Sequence, residues 1–553
     1  MLIGSHGNRT TAVSTWTDGG NVEREWVLPH LIARRAGETP DRPAVQCVDG
    51  TEMTFLELSE QSLLWADAYR RLGVTTDEHV ATMLPHSFDS YLAWLGVAWL
   101  RAVEVPTNTG YRGEMLRYLL ADSEARVLVV AEAFLDRLAA VADRLTNLEL
   151  VVVPDLTAAP PPLPFRVLGR DEFLVDATPA RDLDGPEYHD ISAVIYTSGT
   201  TGASKGVLVP WAGLHDLNGM LPDDIISGPD SGYYSVYPAY HVAGKAAMYA
   251  AYVHGARLVF RESFSLSNYW DDIRRYNCEF GGLVGPMVSM ILAEPERPED
   301  ASTPLRGVVM APVVPAFEEF KRRFDVRVCT GFGMTEIGYP FASGWELTDH
   351  TTVGRLRTGS PGFEAMIVNE LDEDLGPNQL GELVVRTWEP WVITSGYYNM
   401  PDKTAAAWRN GWFHTGDGFM RDDDGNYFFL DRVKDALRRR GENISSFEVE
   451  VAINEHPAVL ESAAIGVPSE LSEDEVKIVI VLEPGEELDP ADLIAFLIPR
   501  MPRFMIPRFV EFVAELPKTP ATQRVQKYEL RRNARNDNTW DREAAGIELP
   551  KDV

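Results

Sequence analysis

Tyr196-Thr197-Ser198-Gly199-Thr200-Thr201-Gly202-Ala203-Ser204-Lys205-Gly206, entered from the apolar run Ala193-Val194-Ile195, reads as a strand emptying into a loop built to hold a triphosphate. Small residues let backbone N–H groups approach phosphate oxygens, Ser and Thr hydroxyls add donors, and Lys205 brings a positive charge. Gly199 and Gly202 do not give the G-x-x-x-x-G-K-[ST] spacing, which excludes a P-loop NTPase. The competing reading is a flexible Ser/Thr/Gly turn, and the unusual order of the string argues against it.

The rest of the composition agrees with a small, charged ligand. A chain of 553 residues, 45% of them apolar, exceeds what one hydrophobic core organises, so at least two domains are expected. Against 51 Lys and Arg stand 83 Asp and Glu, a formal charge of -32 that repels nucleic acid and anionic membranes. The expected partners are therefore small molecules met by local basic groups, with a homo-oligomer left open. Cys47, Cys278 and Cys329 have neither metal-ligand spacing nor the density of a disulfide scaffold, which fits a reducing cytoplasm. No run is long and apolar enough to span a bilayer, and Met1 to Gly20 lacks the apolar core of a signal peptide.

Apolar residues recur at helical spacing from Phe88 to Ala102 and from Glu114 to Leu120, and β-rich runs such as Val127-Leu128-Val129-Val130 and Leu150-Val151-Val152-Val153 follow. This alternation predicts a layered α/β architecture with buried parallel strands. Near Leu430 the texture changes, and the charged linker Asp431-Arg432-Val433-Lys434-Asp435 precedes a smaller α+β stretch containing Val476 to Leu482. The expected division is a loose arm over 1–25, a large α/β domain over 26–431, a small α+β domain over 432–532 and a poorly ordered polar tail over 533–553.

Further stretches carry chemistry. In Gly331-Phe332-Gly333-Met334-Thr335-Glu336 the glycines allow close approach to a nucleotide, Phe332 offers a face for a base, and Glu336 is a hard oxygen ligand suited to Mg²⁺. In Gly411-Trp412-Phe413-His414-Thr415-Gly416-Asp417 the carboxylate of Asp417 suits both hydroxyls of a ribose, and Arg432 can donate to the same sugar or its phosphate. Taken singly, Asp417 reads as a surface turn and Arg432 as a solvated charge. The stretches Pro238-Ala239-Tyr240-His241-Val242-Ala243-Gly244, Gly285-Pro286-Met287 and Met310-Ala311-Pro312 are apolar in character, which suits an organic substrate, and a buried core gives the same letters.

Together, in this order, these motifs resemble those of the adenylate-forming superfamily of acyl-CoA ligases, luciferases and peptide-synthetase adenylation domains. The resemblance runs from about Leu31 to about Arg532 and is nearest to the crotonobetaine/carnitine-CoA ligase-like branch. It implies that Thr197, Ser198, Gly199, Thr200, Thr201, Gly202 and Lys205 hold the phosphates of ATP. It implies that Gly331, Phe332, Gly333 and Thr335 meet adenosine, that Glu336 carries Mg²⁺, that Asp417 and Arg432 hold the ribose, and that His241, Gly285 and Met310 fall where the family lines the substrate pocket and the adenine. Lys434 falls at the family's hinge, about which a mobile C-terminal domain swings between two poses, and Arg438 to Ser445 resembles the loop brought in by the second pose. Arg438, Arg439 and Arg440 suit the phosphates of CoA, the implied second substrate.

One departure stands out. Where the family places a catalytic lysine shortly after Leu-Pro-x-Thr-Pro, Leu516-Pro517-Lys518-Thr519-Pro520-Ala521-Thr522-Gln523-Arg524 runs one residue longer and offers Arg524, whose planar fork is not equivalent to an ammonium. Lys518 and Lys527 flank it. The resemblance implies an ATP-dependent ligase that activates a small oxyanion, by default a carboxylic acid, as an AMP anhydride and transfers it to CoA. Two alternatives remain: a diazotase activating nitrite for attack by an aromatic amine, toward which the altered lysine leans, and a non-catalytic nucleotide-binding homologue.

Overall fold

The computed structural model describes residues 22–549 except 198–203, 360–361, 433–436, 440–441, 445, 469–473, 502, 504 and 520–524, with the backbone alone at some further positions, Arg432 among them. These residues gather into two compact units, one of 22–364 with 386–406, the other of 365–385 with 407–549.

Two sheets of seven strands organise the first unit. In one, His79–Met83 lies between Val103–Pro106 and Val127–Val130 in parallel, and Leu150–Val153 and Arg166–Gly169 continue the parallel ladder. These strands read as unbroken apolar runs because helices cover both faces of a parallel sheet. Ile191–Thr197 joins the other edge parallel to Val103–Pro106, and Lys205–Pro210 then turns back antiparallel on it. The second sheet runs Arg327–Cys329, Gly307–Met310, Cys278–Leu283, Gly232–Ser235, Arg257–Phe260 and Pro43–Cys47 in parallel, closed by the antiparallel Glu52–Thr54. Three antiparallel strands, Gly331–Met334, Gly338–Ala342 and Thr352–Leu356, complete the unit.

Helix ends follow local chemistry. Thr54 accepts from the Glu57 N–H at 3.1 Å while the Glu57 carboxylate accepts from the Thr54 N–H at 2.8 Å, a reciprocal cap that starts helix Phe55–Arg71. Phe88–Trp99 is apolar on every side beyond its first turn because Ser90 to Trp99 are all buried. Lys245 on helix Val242–Val253 is buried, ion-paired to Glu104 and stacked 3.8 Å over the Trp94 ring, while Glu104 also accepts from the Thr82 hydroxyl at 2.7 Å. Burial lowers the pKa of this lysine.

The second unit holds the antiparallel pair Trp412–Arg421 and Asn426–Arg432, and a sheet of Val459–Pro468, Asp474–Leu482, Phe509–Phe512 and Trp540–Asp541. Helices Ser446–Asn454 and Pro490–Leu497 cover that sheet through Val449, Ile453, Leu493 and Leu497. The end of the chain corrects the sequence reading. Residues 533–549 do not trail away: Trp540–Asp541 pairs with Phe509–Phe512, and the buried Lys477 donates to the Ala534 carbonyl at 2.9 Å and to the Thr539 hydroxyl at 3.2 Å. Polar composition misled because these polar groups satisfy one another at a sheet edge. At the other end, Val22 is buried and Arg24 is ion-paired to Glu187 at 3.3 Å, so packed and paired residues reach into the stretch read as a loose arm.

Two enclosed histidines make the first unit sensitive to acid. Burial holds His86 down to about 4, and burial with the nearby Arg357 guanidinium holds His215 down to about 3, against an ordinary 6.5. Between these values and 6.5 the unfolded chain binds protons that the folded chain refuses, so stability present above pH 6.5 is lost as the pH falls. In urea titrations followed by tryptophan fluorescence, the protein should be less stable at pH 5 than at pH 7.5, by roughly 2 kcal/mol per histidine. His86→Gln should shrink that difference, and equal stability at both pH values would contradict the assignment.

Candidate active site

The phosphate-loop motif lies between, and partly within, two paired antiparallel strands. Ile191–Thr197 and Lys205–Pro210 pair antiparallel with Thr197 opposite Lys205 and Tyr196 opposite Gly206, so the loop springs from between Thr197 and Lys205. Ser198, Gly199, Thr200, Thr201 and Gly202 lie outside the described residues, as do Lys434 and Arg524. The hairpin's root is anchored on one side by Tyr196, whose hydroxyl donates to Asp122 at 2.5 Å. Burial raises the pKa of this phenol, which keeps it a donor.

On the other side runs residues 394–398. The Leu208 N–H donates to the Gly396 carbonyl at 3.0 Å, the Tyr398 N–H to the Gly206 carbonyl at 2.8 Å, and the Thr394 hydroxyl to the Leu208 carbonyl at 2.8 Å. Thr394 also donates its N–H to the carbonyl of Glu336 at 2.7 Å, so one segment ties the hairpin to the second motif. Its centre is Tyr397. The Lys205 ammonium lies 4.6 Å from the centroid of the Tyr397 ring, and the Tyr397 hydroxyl donates to Glu336 Oε1 at 3.0 Å. Glu336 is only 6% exposed, so this carboxylate is fixed in a largely dry place. The two residues that the sequence assigns to phosphate and metal are thus brought together by a third that it missed. The available signal was Gly396-Tyr397-Tyr398 shortly before Pro401.

In the second motif, Gly331–Met334 pairs with Gly338–Ala342 so closely that a Cβ on Gly331 would lie 2.4 Å from the Phe341 carbonyl oxygen, and one on Gly333 2.3 Å from that of Gly338. The close approach these glycines permit is to the neighbouring strand. Phe332 is half-buried, its ring 6.3 Å from that of Phe341, and Thr335 borders a cavity of about 10 Å³ with Val209, Gly213 and Thr394.

The remaining candidates divide. His241 caps helix Val242–Val253, its Nδ1 accepting from the Ala243 N–H at 3.1 Å. Gly285 opens helix Gly285–Ala293, and Met310 is fully enclosed in the core with Tyr234, Leu283 and Phe320. Within the second unit, Asp417 stands opposite Arg432 in the ladder and is 3% exposed. Its position is set by a tight turn in which Asp417 donates its N–H to the Thr415 hydroxyl at 3.1 Å and Gly416 donates to Glu382 at 3.0 Å. The lysines flanking Arg524 are both engaged, Lys518 with Glu461 at 2.5 Å and Lys527 with Glu450 at 2.9 Å. Arg438 and Arg439 lie in a hairpin of Leu437–Arg439 with Glu442–Ile444.

The model of the AMP-binding enzyme family matches residues 32–398, and that of the AMP-binding enzyme C-terminal domain matches 448–522. The chain belongs to the AMP-binding enzyme family. This AMP-binding enzyme is 28% identical over 486 residues to the crotonobetaine/carnitine–CoA ligase of Salmonella paratyphi C, covering 86% of this chain and 92% of that enzyme. Its fold is similar to the ATP-bound MatB from Rhodopseudomonas palustris, with a TM-score of 0.79, 25% identity and coverage of 91% and 98% of the two chains. It is similar also to the anthranilate CoA ligase AuaEII in complex with anthranoyl-AMP, with a TM-score of 0.80, 24% identity and coverage of 94% and 98%. The protein is an adenylate-forming enzyme of the acyl-CoA ligase kind.

The hairpin geometry makes Gly333 a test of how Glu336 is placed. Gly333→Ala must push the Gly338 carbonyl aside, and overpacking of this kind costs about 1–3 kcal/mol. A lower melting temperature and weaker ATP binding by calorimetry are expected. Unchanged values in both would show that the two strands are free to separate.

Proposed function

We propose that the enzyme uses Mg-ATP to convert a small carboxylic acid into an acyl adenylate, releasing pyrophosphate, and then forms a thioester with CoA. The observation that carries this reading is the meeting of Lys205 and Glu336 on Tyr397 at the root of the phosphate-loop hairpin. A buried carboxylate beside a fixed ammonium, at the mouth of a loop of glycines and hydroxyls, fits a metal-bound polyphosphate. Magnesium, when bound, offsets charge on the phosphate oxygens. Thr197 and Lys205 hold phosphates at the loop mouth, Glu336 holds the metal, and Asp417 with Arg432 takes the ribose. His241 and Gly285 border the acyl pocket, Met310 supports it, Lys434 is the hinge, and Arg524 offsets charge at the carboxylate under attack. These groups act by position and charge, set before the reaction starts.

Exchange of labelled pyrophosphate into ATP, screened across aliphatic and aromatic acids, tests the first half-reaction, and CoA-dependent thioester release tests the second. Exchange should depend on an acid and fall on the order of 10²-fold or more in Glu336→Ala and in Lys205→Ala, with both variants still folded. Arg524→Lys should retain or increase acid-dependent exchange, because an ammonium restores the family's usual contact. Exchange supported by nitrite alone, followed by diazonium coupling colour with an arylamine and no CoA, would overturn the carboxylate reading.

A further inference from the structure

We propose that Tyr397 is a positioning residue that sets the metal site and the phosphate site together, through two different parts of one side chain; this rests on the reading of Lys205 and Glu336 as nucleotide-binding residues. Three observations carry it. Tyr397 is buried and its backbone is fixed: its main-chain N–H donates to the Thr404 hydroxyl at 2.9 Å, and the residue forms a backbone bridge to Val207 in the hairpin itself. Its hydroxyl donates to Glu336 Oε1 at 3.0 Å, which orients that carboxylate. Its ring face lies under the Lys205 ammonium at 4.6 Å. A ring attracts an ammonium through its quadrupole without carrying a charge of its own, and a phenol donates to a carboxylate without neutralising it. Tyr397 therefore touches both ions while adding no counter-charge of its own.

The two functions separate by substitution. Tyr397→Phe keeps the ring and removes the hydroxyl, whereas Tyr397→Leu removes both. In the intact protein, ATP binding is measured by calorimetry in EDTA and across a Mg²⁺ titration, beside thermal unfolding. Tyr397→Phe should leave ATP affinity in EDTA within about twofold and raise the Mg²⁺ concentration at half-effect about tenfold. Tyr397→Leu should in addition weaken ATP binding in EDTA about fivefold or more, and in a Lys205→Met background the same change should weaken it no further.

A merely structural role would lower the melting temperature and weaken both readouts alike in Phe and Leu. That outcome, or a Mg²⁺ midpoint in Tyr397→Phe equal to wild type, overturns the proposal. Should Tyr397→Phe fail to fold, a loss of ATP affinity on Tyr397→Leu that persists undiminished in Lys205→Met overturns the ring's part. A wild-type protein that binds no ATP at all would defeat the nucleotide reading and this proposal with it, whereas wild-type binding with unaltered variants defeats this proposal alone.

Discussion

The first unit's site depends on one extended loop segment, 394–398, being laid between the phosphate-loop hairpin and Glu336. The hairpin's inner strand joins the sheet parallel to Val103–Pro106 and its outer strand turns back antiparallel at the end of the sheet, so the sheet leaves that outer strand one hydrogen-bonding edge to fill. Segment 394–398 fills that edge through the Leu208–Gly396 and Gly206–Tyr398 backbone bonds. An unpaired edge would cost stability and invite other pairings. Covering it with the segment that also holds Glu336 couples two motifs separated by more than a hundred residues of chain.

A second constraint keeps the antiparallel strands of the second motif in register with the hairpin. Asp216, at the end of the short helix Trp211–Asp216 that follows Lys205–Pro210, is fully enclosed and accepts from both terminal nitrogens of Arg357, at 3.1 and 2.9 Å. The same guanidinium donates to the Tyr339 carbonyl at 2.7 Å. Burial raises the pKa of Asp216 and Arg357 opposes that rise. A buried bidentate pair adds little net stability over an apolar replacement, but removing one partner strands the other charge and costs about 3–5 kcal/mol. Such a pair selects one arrangement of helix and strands over others. Glu104 and Lys245 repeat the device between a parallel strand and helix Val242–Val253.

The motifs that announce themselves in sequence are those whose chemistry is local. The loop string, Glu336 after a glycine pair, and Asp417 after a glycine are legible because small residues beside polar ones are rare inside strands. The ordered string also carried the α/β class, since the apolar runs around it have the length of buried parallel strands. Tyr397 was not legible, because its meaning comes from a contact across the hairpin and from a residue 61 positions upstream. Gly331 and Gly333 were legible as required glycines but not for their cause, which is a neighbouring strand. The tail misled for the same reason: Lys477 and Thr539 explain each other only once they are side by side.

The acidity of the chain gives the arrangement at Tyr397 its physical point. A molecule with a formal charge of -32 attracts a polyphosphate only through local positive charge held against a repulsive background. A charged residue in the place of Tyr397 would neutralise part of the charge on Lys205 or on Glu336. An aromatic face and a phenolic hydroxyl order the same two groups by weaker, charge-preserving contacts. Each contact is worth about 1–3 kcal/mol in a dry site, enough to fix a rotamer and small enough for a phosphate or a metal ion to displace. Tyr397 thus helps organise the site before a ligand arrives without adding a counter-charge to it.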